Sequence, residues 1–70
     1  MNPSNKLLSV IIPSYNEEAM IQTTFQTVKK ILSESQIPFE IIFVDDGSRD
    51  GTYQEVIRLS KDNPEVHGIS

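Results

Sequence analysis

Apolar residues are spread along this chain in two kinds of run. Leu7-Leu8-Ser9-Val10-Ile11-Ile12 and Phe39-Glu40-Ile41-Ile42-Phe43-Val44 are short and nearly continuous, as in parallel strands of a sheet. The first suits a central strand covered on both faces, stopped by Pro13. Between the two runs, Ile21, Phe25, Val28 and Leu32 recur at spacings of four, three and four, which predicts a helix with one apolar stripe, running to about Ser33 and ending within Ser33 to Gln36, before Pro38. Asn16 is the expected cap, with Glu17 and Glu18 in the first turn and Lys29 and Lys30 near the C-terminal end, where the dipole favours each sign. Thr52-x-x-Glu55 has the spacing of a capping box for a second helix that ends near Lys61, with Tyr53, Val56, Ile57 and Ser60 on its inner face. Val66 to Ser70 reads as the opening of a third strand. A helix between two strands makes them parallel with a right-handed crossover. The fold class is therefore α/β, a Rossmann-like parallel β-α-β-α-β arrangement.

Length and composition narrow this picture. Seventy residues with 37% hydrophobic content make one small domain that buries only about 60% of its unfolded surface. With no cysteine and a single histidine, His67, neither a disulfide nor a His/Cys metal cluster can supplement that core. The chain is thus expected to be part of a larger domain. A net charge of −4 argues against nucleic acid or an anionic membrane as the main partner. No run reaches the roughly 20 apolar residues of a membrane span, and Met1 to Lys6 lacks the layout of a signal peptide. The expected location is cytoplasmic.

The candidate chemistry lies where each strand run ends. The first passes into Pro13-Ser14-Tyr15-Asn16-Glu17-Glu18 and the second into Asp45-Asp46-Gly47-Ser48-Arg49-Asp50-Gly51-Thr52. Open α/β sheets bind ligands at the C-terminal ends of their strands. The first turn carries carboxylates and no glycine precedes Gly47, which argues against a dinucleotide fingerprint. A P-loop is absent as well. Asp46 to Gly51 imitates the first half of a calcium loop, but the twelfth position is Ile57 and the flanks are strand and helix. A phosphoacceptor receiver domain carries its acid pair after the first strand, not the second. Capping and turn formation account for Asp50, and Tyr15 on its own could be a half-buried loop aromatic. Because strand side chains alternate in direction, at most one of Asp45 and Asp46 should face a crevice directly. A ring at one strand end and a carboxylate at the next can together grip a nucleobase, by stacking and by accepting a ring N–H.

On these residues the chain resembles the N-terminal part of inverting glycosyltransferases of family 2, which have the GT-A fold. The motifs are Ser9-Val10-Ile11-Ile12-Pro13-Ser14-Tyr15-Asn16-Glu17-Glu18 and Val44-Asp45-Asp46-Gly47-Ser48-Arg49-Asp50-Gly51-Thr52, in the family's order and separation. The similarity runs from about Lys6 to the C-terminus, so residues 1–70 read as the nucleotide-binding portion of a GT-A domain that is incomplete at its C-terminus. Ser33 to Glu40 looks closest to the branch that transfers sugars to polyprenyl phosphates, such as dolichol-phosphate mannosyltransferases and bactoprenol glucosyltransferases.

The resemblance implies a role for each matching residue. Pro13 and Tyr15 would border and stack on the base, Glu17 would reach the nucleoside end of the donor, and Val44 would pack beside the base. Asp46 would accept from the base N–H or a ribose hydroxyl, while Asp45 and Asp50 shape the loop. It also implies a UDP- or GDP-hexose as donor, an acceptor such as a polyprenyl phosphate, and Mg2+ or Mn2+ in the complete domain. The cation's Asp-x-Asp motif does not occur in these 70 residues, and the general base is expected further along. No catalytic or metal-binding residue is therefore assigned within the chain. By itself the chain is expected to be inactive, and sugar transfer by the purified chain would overturn that. Segments beyond the chain could attach the enzyme to the cytoplasmic face of a membrane. The rival reading is a non-catalytic nucleotide-binding or interaction module, and a third is a structural fragment without ligand affinity.

Overall fold

A computed structural model describes residues 7–70. Met1 to Lys6, whose sequence lacks a signal-peptide layout, lies outside the described residues. The elements are β1 (Leu8–Ser14), α1 (Glu18–Ser35), β2 (Phe39–Asp45), α2 (Thr52–Asp62) and β3 (Val66–Ile69). The three strands form one parallel sheet in the order β1-β2-β3. This is the predicted β-α-β-α-β arrangement. The registers Ser14↔Asp45 and Val44↔Ile69 align the strands' C-terminal ends along a single rim.

Alternation along β2 decides where the core sits. Ile41, Phe43 and Asp45 are buried, whereas Ile42 and Val44 between them are half-buried. Ile41 and Phe43 cluster with Ile21 and Phe25 of α1, Val56 and Leu59 of α2, and Val66 of β3, so both helices cover the same face of the sheet. The predicted stripe of α1 holds, with Val28 and Leu32 packed against this cluster. Gly68 lies beneath α2, where an added Cβ would sit 2.8 Å from Val56 Cγ1. That close approach keeps α2 against β3.

Several expectations need correction. β1 is an edge strand of the three-stranded sheet, with Ser9, Ile11 and Pro13 exposed, because among the described residues the helices cover only one of its faces. Pro13 does not stop β1 but lies within it, since a residue without an N–H is tolerated on an edge strand. Asn16 does not cap α1. It adopts a left-handed φ of 51°, which moves the N-cap to Glu17 and leaves Glu18 alone in the first turn. Lys29 and Lys30 fall short of the last turn, because α1 continues to Ser35 before a left-handed Gln36 closes it. Lys29 instead binds Asn63 Oδ1 at 2.9 Å and Glu65 at 3.2 Å, with its Nζ over the Phe25 ring.

The capping box of α2 is not formed either. Gly51 is the N-cap and Thr52 the first helical residue, while Glu55 turns to Arg58. The buried face of α2 is accordingly Thr52, Val56 and Leu59, with Tyr53, Ile57 and Ser60 half-buried at its margins.

Candidate functional site

At the C-terminal rim, Pro13, Ser14, Tyr15, Glu17, Val44, Asp45, Asp46, Ile69 and Ser70 line an open cavity of about 570 Å³. Its volume is in the range of small-molecule sites. All five residues singled out from the sequence, Pro13, Tyr15, Glu17, Val44 and Asp46, are brought together there. Tyr15 is 55% exposed, which leaves ring surface free for a ligand. Asp46 is exposed, whereas the adjacent Asp45 is buried at 6%, as strand alternation requires. Asp45 Oδ1 accepts the Ser48 N–H at 3.0 Å, closing a turn through Gly47, whose φ of 76° is a conformation open to glycine.

Ile69 and Ser70 were not among the expected site residues. They enter because β3 pairs with β2 so that Ile69 stands beside Val44. The signal lay in the third strand run itself, had its end been aligned with the other two.

The loops carrying Tyr15 and Asp46 are joined by hydrogen bonds that run in both directions. The Asn16 N–H donates to Ser48 Oγ at 2.8 Å, and the Arg49 N–H donates to Asn16 Oδ1 at 2.8 Å. The Glu17 N–H donates to Thr52 Oγ1 at 2.8 Å and the Glu18 N–H to Asp50 Oδ2 at 3.3 Å. In return the Gly51 N–H donates to Glu18 Oε1 at 3.0 Å. Orphan N–H groups at the start of α1 are thus satisfied from the other loop, while at α2 the Gly51 N–H is satisfied by Glu18 and the Thr52 N–H by Asp50 of its own loop, at 3.0 Å. The Thr52 hydroxyl, its N–H, and the Glu18 N–H hold the Asp50 carboxyl below the usual aspartate range, against an opposing effect of desolvation.

The lining determines what can enter. Pro13, Val44, Ile69 and the Tyr15 ring give apolar surface, and Glu17, Asp45 and Asp46 give carboxylates. Carboxylates repel phosphate but accept hydrogen bonds from ring N–H groups and hydroxyls, so the cavity suits the uncharged base and sugar of a nucleotide. A larger open hollow of about 840 Å³ flanks it, lined by Glu17, Glu18, Asp50 and Glu55 among others but by no aromatic ring. Among the described residues, no three His, Cys, Asp or Glu side chains converge as a metal site.

Comparison with known proteins shows the family. Residues 9–70 match the profile of Glycosyl transferase family 2. The chain belongs to that family. It is 34% identical over 58 residues to the uncharacterized glycosyltransferase YkcC of Bacillus subtilis, covering 83% of this chain and 18% of that protein. It is 42% identical over 57 residues to the undecaprenyl-phosphate 4-deoxy-4-formamido-L-arabinose transferase of Aeromonas hydrophila, covering 81% and 17%. With the bactoprenol glucosyl transferase of Shigella phage SfV it shares 32% identity over 63 residues, covering 90% and 20%. The chain thus spans about a fifth of the length of these family 2 relatives. No described helix is long and apolar enough to cross a membrane.

Proposed function

We propose that this chain is the nucleotide-binding portion of an inverting family 2 glycosyltransferase that moves a hexose from a UDP- or GDP-sugar to a polyprenyl phosphate. The observation that carries this reading is the convergence of Tyr15 and Asp46 on one cavity at the C-terminal rim of a parallel sheet. The base stacks on the Tyr15 ring and packs against Pro13, Val44 and Ile69. Asp46 accepts a base N–H or a ribose hydroxyl, and Glu17 meets the nucleoside from the start of α1. The diphosphate extends away from these carboxylates. In the complete domain an acceptor oxygen bonds to the anomeric carbon as the bond to the diphosphate oxygen breaks, and the nucleoside diphosphate leaves with the electron pair. That single displacement inverts the anomeric configuration. Mg2+ or Mn2+ would neutralise the leaving diphosphate as a Lewis acid, held by residues outside those described here. The polyprenyl phosphate acceptor is supported by relatives whose names specify undecaprenyl phosphate and bactoprenol. The enzyme would then work at the cytoplasmic face of a membrane.

Calorimetric titration of UDP and GDP against the chain tests this reading. One of the two nucleotides is expected to bind. Tyr15→Ala should weaken it by about 5- to 150-fold, the equivalent of about 1–3 kcal/mol of base stacking. Asp46→Ala removes a charged acceptor and should cost on the order of tenfold or more. Binding that neither substitution weakens would refute the assigned roles.

A further inference from the structure

Tyr15 and Asp46 lie one and two residues from a reciprocal pair of hydrogen bonds that joins their loops. Asn16 donates its N–H to Ser48 Oγ and accepts the Arg49 N–H at Oδ1, each at 2.8 Å. Ser48 is itself tied back to the buried Asp45 by its N–H. A continuous path therefore runs from Asp45 through Ser48 and Asn16 to Tyr15. Strand pairing ends at Ser14↔Asp45, and beyond that register these bonds are the first to join the two loops, ahead of those at the helix starts.

Helix capping explains the other cross-loop bonds, since the N–H groups of Glu17, Glu18 and Gly51 stand at helix starts. It does not explain the Asn16 pair, which precedes both helices. Asn16 also occupies the left-handed region, at φ 51°, where asparagine is among the few tolerated side chains and where strain persists only when its surroundings hold it. Glycine could adopt that backbone but could not accept the Arg49 N–H. The side chain, then, is what this position requires beyond its conformation.

We propose that Asn16, with Ser48, is a positioning residue of the site: the Asn16–Ser48–Arg49 latch holds the Tyr15 ring at the distance and tilt from Asp46 that one nucleobase needs. This rests on the reading of the cavity as a nucleotide site. Asn16 touches no base itself. It acts by restricting Tyr15, so losing it lowers affinity through a looser ring.

The test uses the 70-residue chain with Tyr53→Phe, which leaves Tyr15 as the sole tyrosine in a sequence without tryptophan. Asn16→Gly keeps the backbone conformation and removes Oδ1, whereas Asn16→Asp keeps an acceptor oxygen at the same place. Time-resolved fluorescence anisotropy of Tyr15 without nucleotide should show faster depolarisation in Asn16→Gly and recovery in Asn16→Asp. In parallel, affinity for whichever of UDP and GDP the parent binds should fall on the order of two- to tenfold in Asn16→Gly, the effect of one hydrogen bond, and return in Asn16→Asp. Should Asn16→Gly fail to fold, Ser48→Ala with Ser48→Thr as its rescue carries the same comparison. Unchanged Tyr15 depolarisation, unchanged affinity in a chain whose Tyr15 has loosened, or no rescue would each overturn the latch. A parent that binds neither nucleotide would refute the nucleotide reading, while the ligand-free anisotropy still decides whether the latch restrains Tyr15.

Discussion

Thr52 is fully buried yet uses both functions of its hydroxyl, donating to Asp50 Oδ1 and accepting the Glu17 N–H. Because the hydrogen bond from Thr52 is the largest cause of the lowered Asp50 pKa, the folded chain favours the Asp50 carboxylate. The stabilisation this lends is fully present above the ordinary value of 3.8 and is lost as pH falls through the depressed folded value. Thr52→Val should therefore raise the Asp50 midpoint toward the ordinary value, read from its side-chain carboxyl 13C shift between about pH 2 and pH 6. A midpoint that stays put would contradict the role given to the hydroxyl. At this scale the sequence was legible in part. Tyr15 and Asp46 stand out because a ring and an acid pair each follow an apolar run. Asn16, Ser48 and Thr52 do not, because the partners through which they join the two loops lie 32 to 35 residues away and a bond supplied from a distant loop leaves no local spacing to read.

The elements follow from period more securely than from end signals. The stripe of Ile21, Phe25, Val28 and Leu32 and the alternation through Ile41 and Phe43 both survive folding, since burial rewards each period directly. Thr52-x-x-Glu55 misled because the N–H groups at the start of α2 are taken by Asp50 and Glu18, and the inner face of α2 shifted with it. β1 misled in another way. Its continuous apolar run is shared by a strand covered twice and an edge strand covered once, and composition cannot separate the two. Phe43, with 0% exposure, is the largest fully buried side chain, and Phe43→Ala in a core typically costs about 3–5 kcal/mol. At roughly 0.05–0.15 kcal/mol per residue, a chain this short has on the order of 4–10 kcal/mol to lose. Urea unfolding followed by circular dichroism should show Phe43→Ala largely unfolded or melting at far lower urea, with the exposed Ile11→Ala close to the parent. Equal midpoints for the two variants would place the core elsewhere.

Across the whole molecule, parallel pairing builds the candidate site. Three strands in register bring their C-terminal ends to one rim, so Tyr15, Asp46 and Ile69, far apart in the sequence, border one cavity. Helices on a single face leave Ile11 at 57% and Ile69 at 53% exposed on the other. The family could be read from the order of the two motifs and the parallel arrangement from the helix between two strand runs, whereas the share of the cavity contributed by β3 required the register. The central claim is that the Tyr15 ring and Asp46 hold a nucleobase between them. Its most direct test is an intermolecular nuclear Overhauser experiment on the isotope-labelled chain with UDP or GDP. Contacts should run from the base protons to the Tyr15 ring, with further contacts to Val44 and Ile69. Base contacts confined to residues away from this rim, with none to Tyr15, would contradict it.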